Sequence, residues 1–178
     1  MVRKSATLVV ILLVVAALVA CQPRAVKPAT GAPAKGGAAG ATPPEGFSLA
    51  DASTFKVDNY KGKVLVMDFW ATWCGPCKME IPHLIELQKE FRDQGLVVVG
   101  ITMDSTPDKD VPPYAASVGM NYANIKGTEE LKAEYGVVGL PTIVIYDRAG
   151  NQVLKRSGYI EKDQLREIIT PLLTPVSS

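Results

Sequence analysis

Two stretches of this chain are apolar without a break. Val64 to Phe69 and Leu96 to Met103 predict two strands buried on both faces, as in a parallel sheet. Between them Ile81, Leu84, Ile85, Leu87 and Phe91 recur at helical spacing and predict an amphipathic helix to about Asp93. Pro82 inside it predicts a kink, and Gly95 a stop. Beyond the second strand, Pro107, Pro112 and Pro113 open a short helix to about Val118, and Asn121 to Ile125 reads as a short strand. Thr128 caps a helix to Tyr135, with Gly136 as its stop. Ile143 to Tyr146 is a strand, and Gln152 to Gly158 returns antiparallel to it after a turn. Lys162 to Leu173 is a final amphipathic helix, and Phe47-Ser48-Leu49 with Thr54 to Val57 predict a short N-terminal hairpin. The order gives an α/β fold: a central mixed sheet flanked by helices, with the hairpin at one end and an insert over Asp104–Gly127.

The N-terminal part follows another pattern. Arg3 and Lys4 precede an unbroken apolar run from Leu8 to Ala20. That run is short for a membrane span of about 20 residues and right for a signal segment of roughly 7–15. It ends Leu18-Val19-Ala20-Cys21, which resembles a bacterial lipobox, so residues 1–20 read as a lipoprotein signal peptide and Cys21 as the lipidated residue. An uncleaved N-terminal anchor is the alternative; both readings put the globular part outside the cytoplasm. Residues 21–45, rich in Ala, Gly and Pro, read as a disordered tether, because so few large apolar side chains cannot offset ordering entropy. The globular domain is expected over 46–174, with a tail at 175–178. Without Arg3 and Lys4 the chain carries 17 basic and 18 acidic residues, a balance that argues against a nucleic-acid partner.

Cysteine usage narrows the chemistry. With Cys21 assigned to lipid, the remaining pair is Cys74 and Cys77, in Trp73-Cys74-Gly75-Pro76-Cys77 directly after the first buried strand. A pair this close stabilises little through loop closure, and one CxxC with a single histidine is poor material for a four-ligand zinc site. Disulfide exchange needs a thiolate, and a cysteine with an ordinary pKa of about 8.5 must be acidified to supply one. A helix N-terminus does this with unpaired N–H groups and its positive dipole end, and Pro76 suits the first turn. Cys74 is therefore the expected nucleophile and Cys77 the resolving thiol. Asp68 is costly in a buried strand unless neutral or paired; it is expected to take the Cys77 proton, the alternative being an aspartate satisfied by backbone donors. His83 is expected at the surface or rim rather than as a base.

The stretch Met67 to Lys78 resembles the active-site segment of the thioredoxin superfamily, and Gly139-Leu140-Pro141-Thr142 its cis-proline loop. The signal segment, the Lys61-Gly62-Lys63 turn and the Asp104–Gly127 insert resemble the TlpA/ResA group. The resemblance covers about Phe47 to Leu173 and implies a membrane-tethered, extracytoplasmic thiol–disulfide oxidoreductase. It implies a cis Pro141 that packs beside Cys74 and offers backbone groups to a client. It also implies client contacts through Trp73, Gly75, Pro76 and Leu140, and a tuning role for Glu80, against a solvated helix glutamate. Asp68 departs from the asparagine common in that group. No metal, flavin, nicotinamide or haem motif is visible, so no cofactor is expected. The expected partners are client proteins with disulfides, apocytochrome c among them, a membrane thiol reductase as electron donor, and the membrane through the lipid anchor; a monomer is expected. A disulfide-introducing oxidant, a peroxiredoxin-like peroxidase and a non-catalytic binding module stand as alternatives.

Overall fold

The two apolar runs become the centre of a sheet. In the computed structural model, which describes residues 47–174, β2 (Val64–Trp70) and β3 (Leu96–Thr102) pair in parallel from Val64↔Leu96 to Trp70↔Thr102. Every residue of both strands is buried, as a sheet covered on both faces requires. β4 (Ala123–Lys126) adds parallel to β3, and β1 (Ser48–Asp51) parallel to β4. On the other side β5 (Thr142–Tyr146) and β6 (Gln152–Ser157) add antiparallel. The result is a six-stranded mixed sheet in the order β1-β4-β3-β2-β5-β6. The signal segment, Cys21, the tether and the tail lie outside the described residues.

Alternation along β2 sorts the core into two layers. Val64, Val66 and Trp70 pack with Ile81, Leu84 and Leu87 of α1 (Gly75–Phe91), Val111 and Ala115 of α2 (Pro107–Val118), and Leu165 and Ile169 of α4 (Lys162–Leu173). Leu65, Met67 and Phe69 pack on the opposite face with Val97, Val99 and Val144, closed by Leu131 of α3 (Glu129–Glu134) and by Phe55 and Tyr60. The two layers fix which side of the sheet faces the dithiol helix.

Helix ends follow their predicted chemistry. Thr128 accepts the Leu131 N–H at 3.1 Å and caps α3. α1 continues through Pro82, which is exposed, and a 3₁₀ turn (Arg92–Gln94) ends it at Gly95 with φ of 94°. A Cβ at Gly95 would also lie 3.1 Å from the Arg148 guanidinium. That guanidinium donates to the carbonyls of Gly62, Gln94 and Leu173 at 2.7, 2.7 and 2.8 Å, tying the starts of β2 and β3 to the end of α4.

The expected N-terminal hairpin does not form. Ser48–Asp51 pairs in parallel with β4 instead, and Ala52–Thr54 and Val57–Tyr60 make 3₁₀ turns. Thr54 Oγ1 donates to the Asp51 carbonyl at 2.7 Å, a local bond that competes with a ladder. Phe55 and Tyr60, with ring centroids 5.7 Å apart, turn inward to cover the sheet. The short strand expected over Asn121–Ile125 starts two residues later, at Ala123.

Candidate active site

The dithiol sits where β2 becomes α1. The chain leaves the sheet at Trp70, turns through Ala71–Trp73 with the Cys74 N–H on the Ala71 carbonyl at 3.1 Å, and enters the helix. Cys74 is the N-cap, in extended conformation, and its Sγ accepts the Cys77 N–H at 3.2 Å. A sulfur held on a helix N–H is placed to carry negative charge. Cys74 and Cys77 form a disulfide with Cα atoms 5.3 Å apart. Cys74 retains 5 % exposure and Cys77 none.

A groove of ≈ 510 Å³ opens in front of Cys74. Trp73, Gly75, Pro76 and Leu140 all line it, together with Met103, Val137 and Val138. The wall is mostly apolar, with Glu129 and Lys132, paired at 3.2 Å, at one side. Trp73 is 68 % exposed and Val138 91 %. The Leu140–Pro141 peptide is cis. Pro141 itself is buried and its carbonyl accepts the Gly158 N–H at 2.8 Å; Leu140 is the residue of this pair that faces the groove.

Behind the dithiol lies a set of buried acids. Asp68 shares the β2 face of Val66 and Trp70, the face α1 covers. It is fully buried, stands opposite Gly100 and Ile143 in the sheet, and neither oxygen has a hydrogen-bond partner among the described residues. Burial, and then the charge of Glu80, push its carboxyl well above the usual range. Glu80 is buried rather than solvated: Oε1 accepts the Ile160 N–H at 2.8 Å, and Oε2 has no partner among the described residues. Burial pushes it up to about 7, against the opposing pull of that hydrogen bond and of Arg156.

Sequence reasoning missed a third member. Tyr122 is fully buried, its hydroxyl has no hydrogen-bond partner among the described residues, and burial plus the charges of Asp68, Tyr114 and Glu80 raise its phenol well above the ordinary value. The available signal was a tyrosine set beside a short buried strand, where a phenol normally finds a partner. Trp70 is core, its indole N–H bonded to Asn124 Oδ1 at 3.0 Å. His83 is half-buried and packs on Tyr159 with ring centroids 5.8 Å apart. Lys78 lies over the Tyr114 ring at 5.5 Å. Among the described residues no three His, Cys, Asp or Glu side chains gather as a metal would require.

Comparison with known proteins agrees with this geometry. Residues 40–153 match the AhpC/TSA family. The thiol-disulfide oxidoreductase ResA of Bacillus thuringiensis subsp. konkukian is 32% identical over 127 residues, which cover 69% of this chain and 72% of the relative. The thiol:disulfide interchange protein HelX of Rhodobacter capsulatus is 30% identical over 126 residues, 70% of this chain and 69% of the relative. A solved thiol:disulfide interchange protein of the thioredoxin family from Chlorobium tepidum superposes with a TM-score of 0.62 at 30% identity, covering 75% of this chain and 97% of that one. With a thioredoxin-like sheet, a dithiol at the helix start and these relatives, the chain belongs to the AhpC/TSA family and is a thiol–disulfide oxidoreductase.

Proposed function

We propose that the protein reduces disulfides of client proteins outside the cytoplasm, with Cys74 as nucleophile and Cys77 as resolving thiol. The observation that carries this assignment is the exposure difference: Cys74 reaches the groove and Cys77 reaches nothing. In the first step the Cys74 thiolate attacks one sulfur of the client disulfide, and the other client sulfur leaves as a thiolate. In the second, Cys77 loses its proton and attacks Cys74 Sγ, releasing the second client sulfur and closing the Cys74–Cys77 disulfide. Asp68 accepts the Cys77 proton, and Glu80 keeps that exchange near neutral pH. The oxidised form is the state after that transfer, which fits a carboxyl raised well above its usual range. When a donor reopens the disulfide, the same carboxyl returns the proton to Cys77.

The groove beside Leu140 and Trp73 takes an extended client segment, with Gly75 and Pro76 as its floor and the cis Leu140–Pro141 peptide at its margin. A membrane thiol reductase recharges the protein, and apocytochrome c is a client that fits a reductant of paired cysteines. The apolar run before Cys21 supports lipid attachment at that residue; mass spectrometry of the mature N-terminus tests it, and an unmodified Cys21 refutes it.

The central test is trapping. Cys77→Ser is expected to accumulate mixed disulfides with client proteins and Cys74→Ser to accumulate none; the reverse pattern overturns the order of attack. The couple is expected near about −270 mV against glutathione, as for a reductant, whereas a value near about −120 mV makes the protein an oxidant.

A further inference from the structure

The turn that delivers Cys74 to its helix is held by one carboxylate from the neighbouring strand. Asp104 follows β3 and is 7 % exposed. Its Oδ1 accepts Thr72 Oγ1 at 2.5 Å and the Thr72 N–H at 3.2 Å; its Oδ2 accepts the same N–H at 3.0 Å and Thr102 Oγ1 at 2.6 Å. The Met103 N–H donates to the Trp70 carbonyl at 2.8 Å just beside it. The ends of β2 and β3 are thereby laced together one step beyond their last register pair, Trp70↔Thr102.

Thr72 is the middle residue of the turn between Trp70 and Cys74. Its neighbours offer it no polar anchor: Ala71 is packed in the core but has no polar side chain, and Trp73 stands 68 % exposed. On the far side of Cys74, α1 is fixed by its buried stripe from Cys77 to Phe91. On the near side Trp70 and Ala71 are packed in the core, and the polar side-chain anchor of the turn is Asp104. Cys74 therefore lies between a packed helix and a carboxylate clamp.

We infer that Asp104 is a positioning residue for disulfide exchange: by holding Thr72 it keeps Cys74 Sγ on the α1 N-terminus while that sulfur changes partners. The inference rests on the reading of Cys74 as nucleophile. During exchange the Cys74 sulfur gives up Cys77 for a client sulfur, and the client then pulls on the turn. A turn free to drift would carry the sulfur away from the Cys77 N–H it now accepts at 3.2 Å, and the thiolate would lose its acidifying contact. Met103 and Trp73, the chain neighbours of Asp104 and Thr72, both line the groove, so the clamp bears on client fit as well as on nucleophile placement.

The test uses the full chain and four variants, Thr72→Val, Thr72→Ser, Asp104→Ala and the Thr72→Val/Asp104→Ala double, with Cys74→Ser as control. The reduced proteins are titrated by thiolate ultraviolet absorbance, and kcat and KM are measured for reduction of insulin disulfides with dithiothreitol as donor. Thr72→Val and Asp104→Ala are expected to raise the Cys74 pKa by roughly half a unit and to lower kcat/KM by about tenfold to 10²-fold. Thr72→Ser restores most of both, and the double variant is no worse than Asp104→Ala, because the two groups act as one contact. A folded Thr72→Val protein with wild-type pKa and kcat/KM overturns the inference, as do losses that add in the double variant. Should Asp104→Ala not fold, the near-isosteric Thr72→Val decides alone. Equal activity of the wild type and Cys74→Ser removes the nucleophile reading and the inference with it.

Discussion

Gly100 stands opposite Asp68 in the sheet, and its missing side chain leaves room for a buried hydrogen bond. A Cβ there would lie 2.1 Å from Asn124 Oδ1 and 2.8 Å from Trp70 Nε1, the two atoms that bond to each other at 3.0 Å. Gly100→Ala is expected to destabilise the fold by about 1–3 kcal/mol, through overpacking and a lost buried partner. Urea unfolding reads this directly, and an unchanged midpoint refutes it. The same residues mark the boundary of what a sequence discloses. The dithiol and the misfit Asp68 were legible because each is a local pattern, and the cis Pro141 only through the family resemblance of its loop. The Trp70–Asn124 bond joins positions 54 apart, and the Ile160 N–H that buries Glu80 comes 80 residues later. Neither meeting leaves a trace in local spacing, and the same holds for the Asp104 clamp on Thr72; for Tyr122 the one signal was its place beside a short strand.

Elements were legible wherever periodicity was strong. The prediction of α4 over Lys162–Leu173 matches the structure residue for residue. The N-terminal segment was misread because a free edge of β4 outbid a local hairpin, and only the folded sheet offers that edge. Two kinds of contact hold α4 to α1, and they differ in weight. Glu86–Lys162 at 2.8 Å and Arg166 Nη2 to Glu90 Oε2 at 2.7 Å are solvent-facing pairs. Such pairs contribute on the order of 0–1 kcal/mol. Ile169 is fully buried against the shared core. Lys162→Ala is therefore expected to change stability by less than about 0.5 kcal/mol, and Ile169→Ala to cost about 2–5 kcal/mol. Chemical unfolding of both variants checks the ranking; a larger effect at Lys162 than at Ile169 would contradict the packing argument.

For the whole molecule the buried acids set a pH dependence of unusual sign. Glu80 moves from its ordinary 4.5 up to about 7 in the fold, and Asp68 is raised as well. Between those limits the folded chain binds more protons than the unfolded one, so stability is fullest at the acid side of the window and is lost as pH rises through about 7. Each such proton contributes a slope of up to ~1.4 kcal/mol per pH unit. Urea midpoints measured across this window are expected to fall toward alkaline pH, and Glu80→Gln to flatten the fall; a flat profile in the wild type excludes the linkage. The placement of the two aromatic indoles has a further, practical consequence. The chain has two tryptophans. Trp70 is fully shielded and bonded in the core, whereas Trp73 faces water beside the dithiol. Its emission is therefore a sum of a blue component from Trp70, which shares a core cluster with both cysteines, and a red component from Trp73, which directly precedes Cys74 in the chain. A disulfide quenches an adjacent indole, so the protein reports its own oxidation state as light, with no label attached.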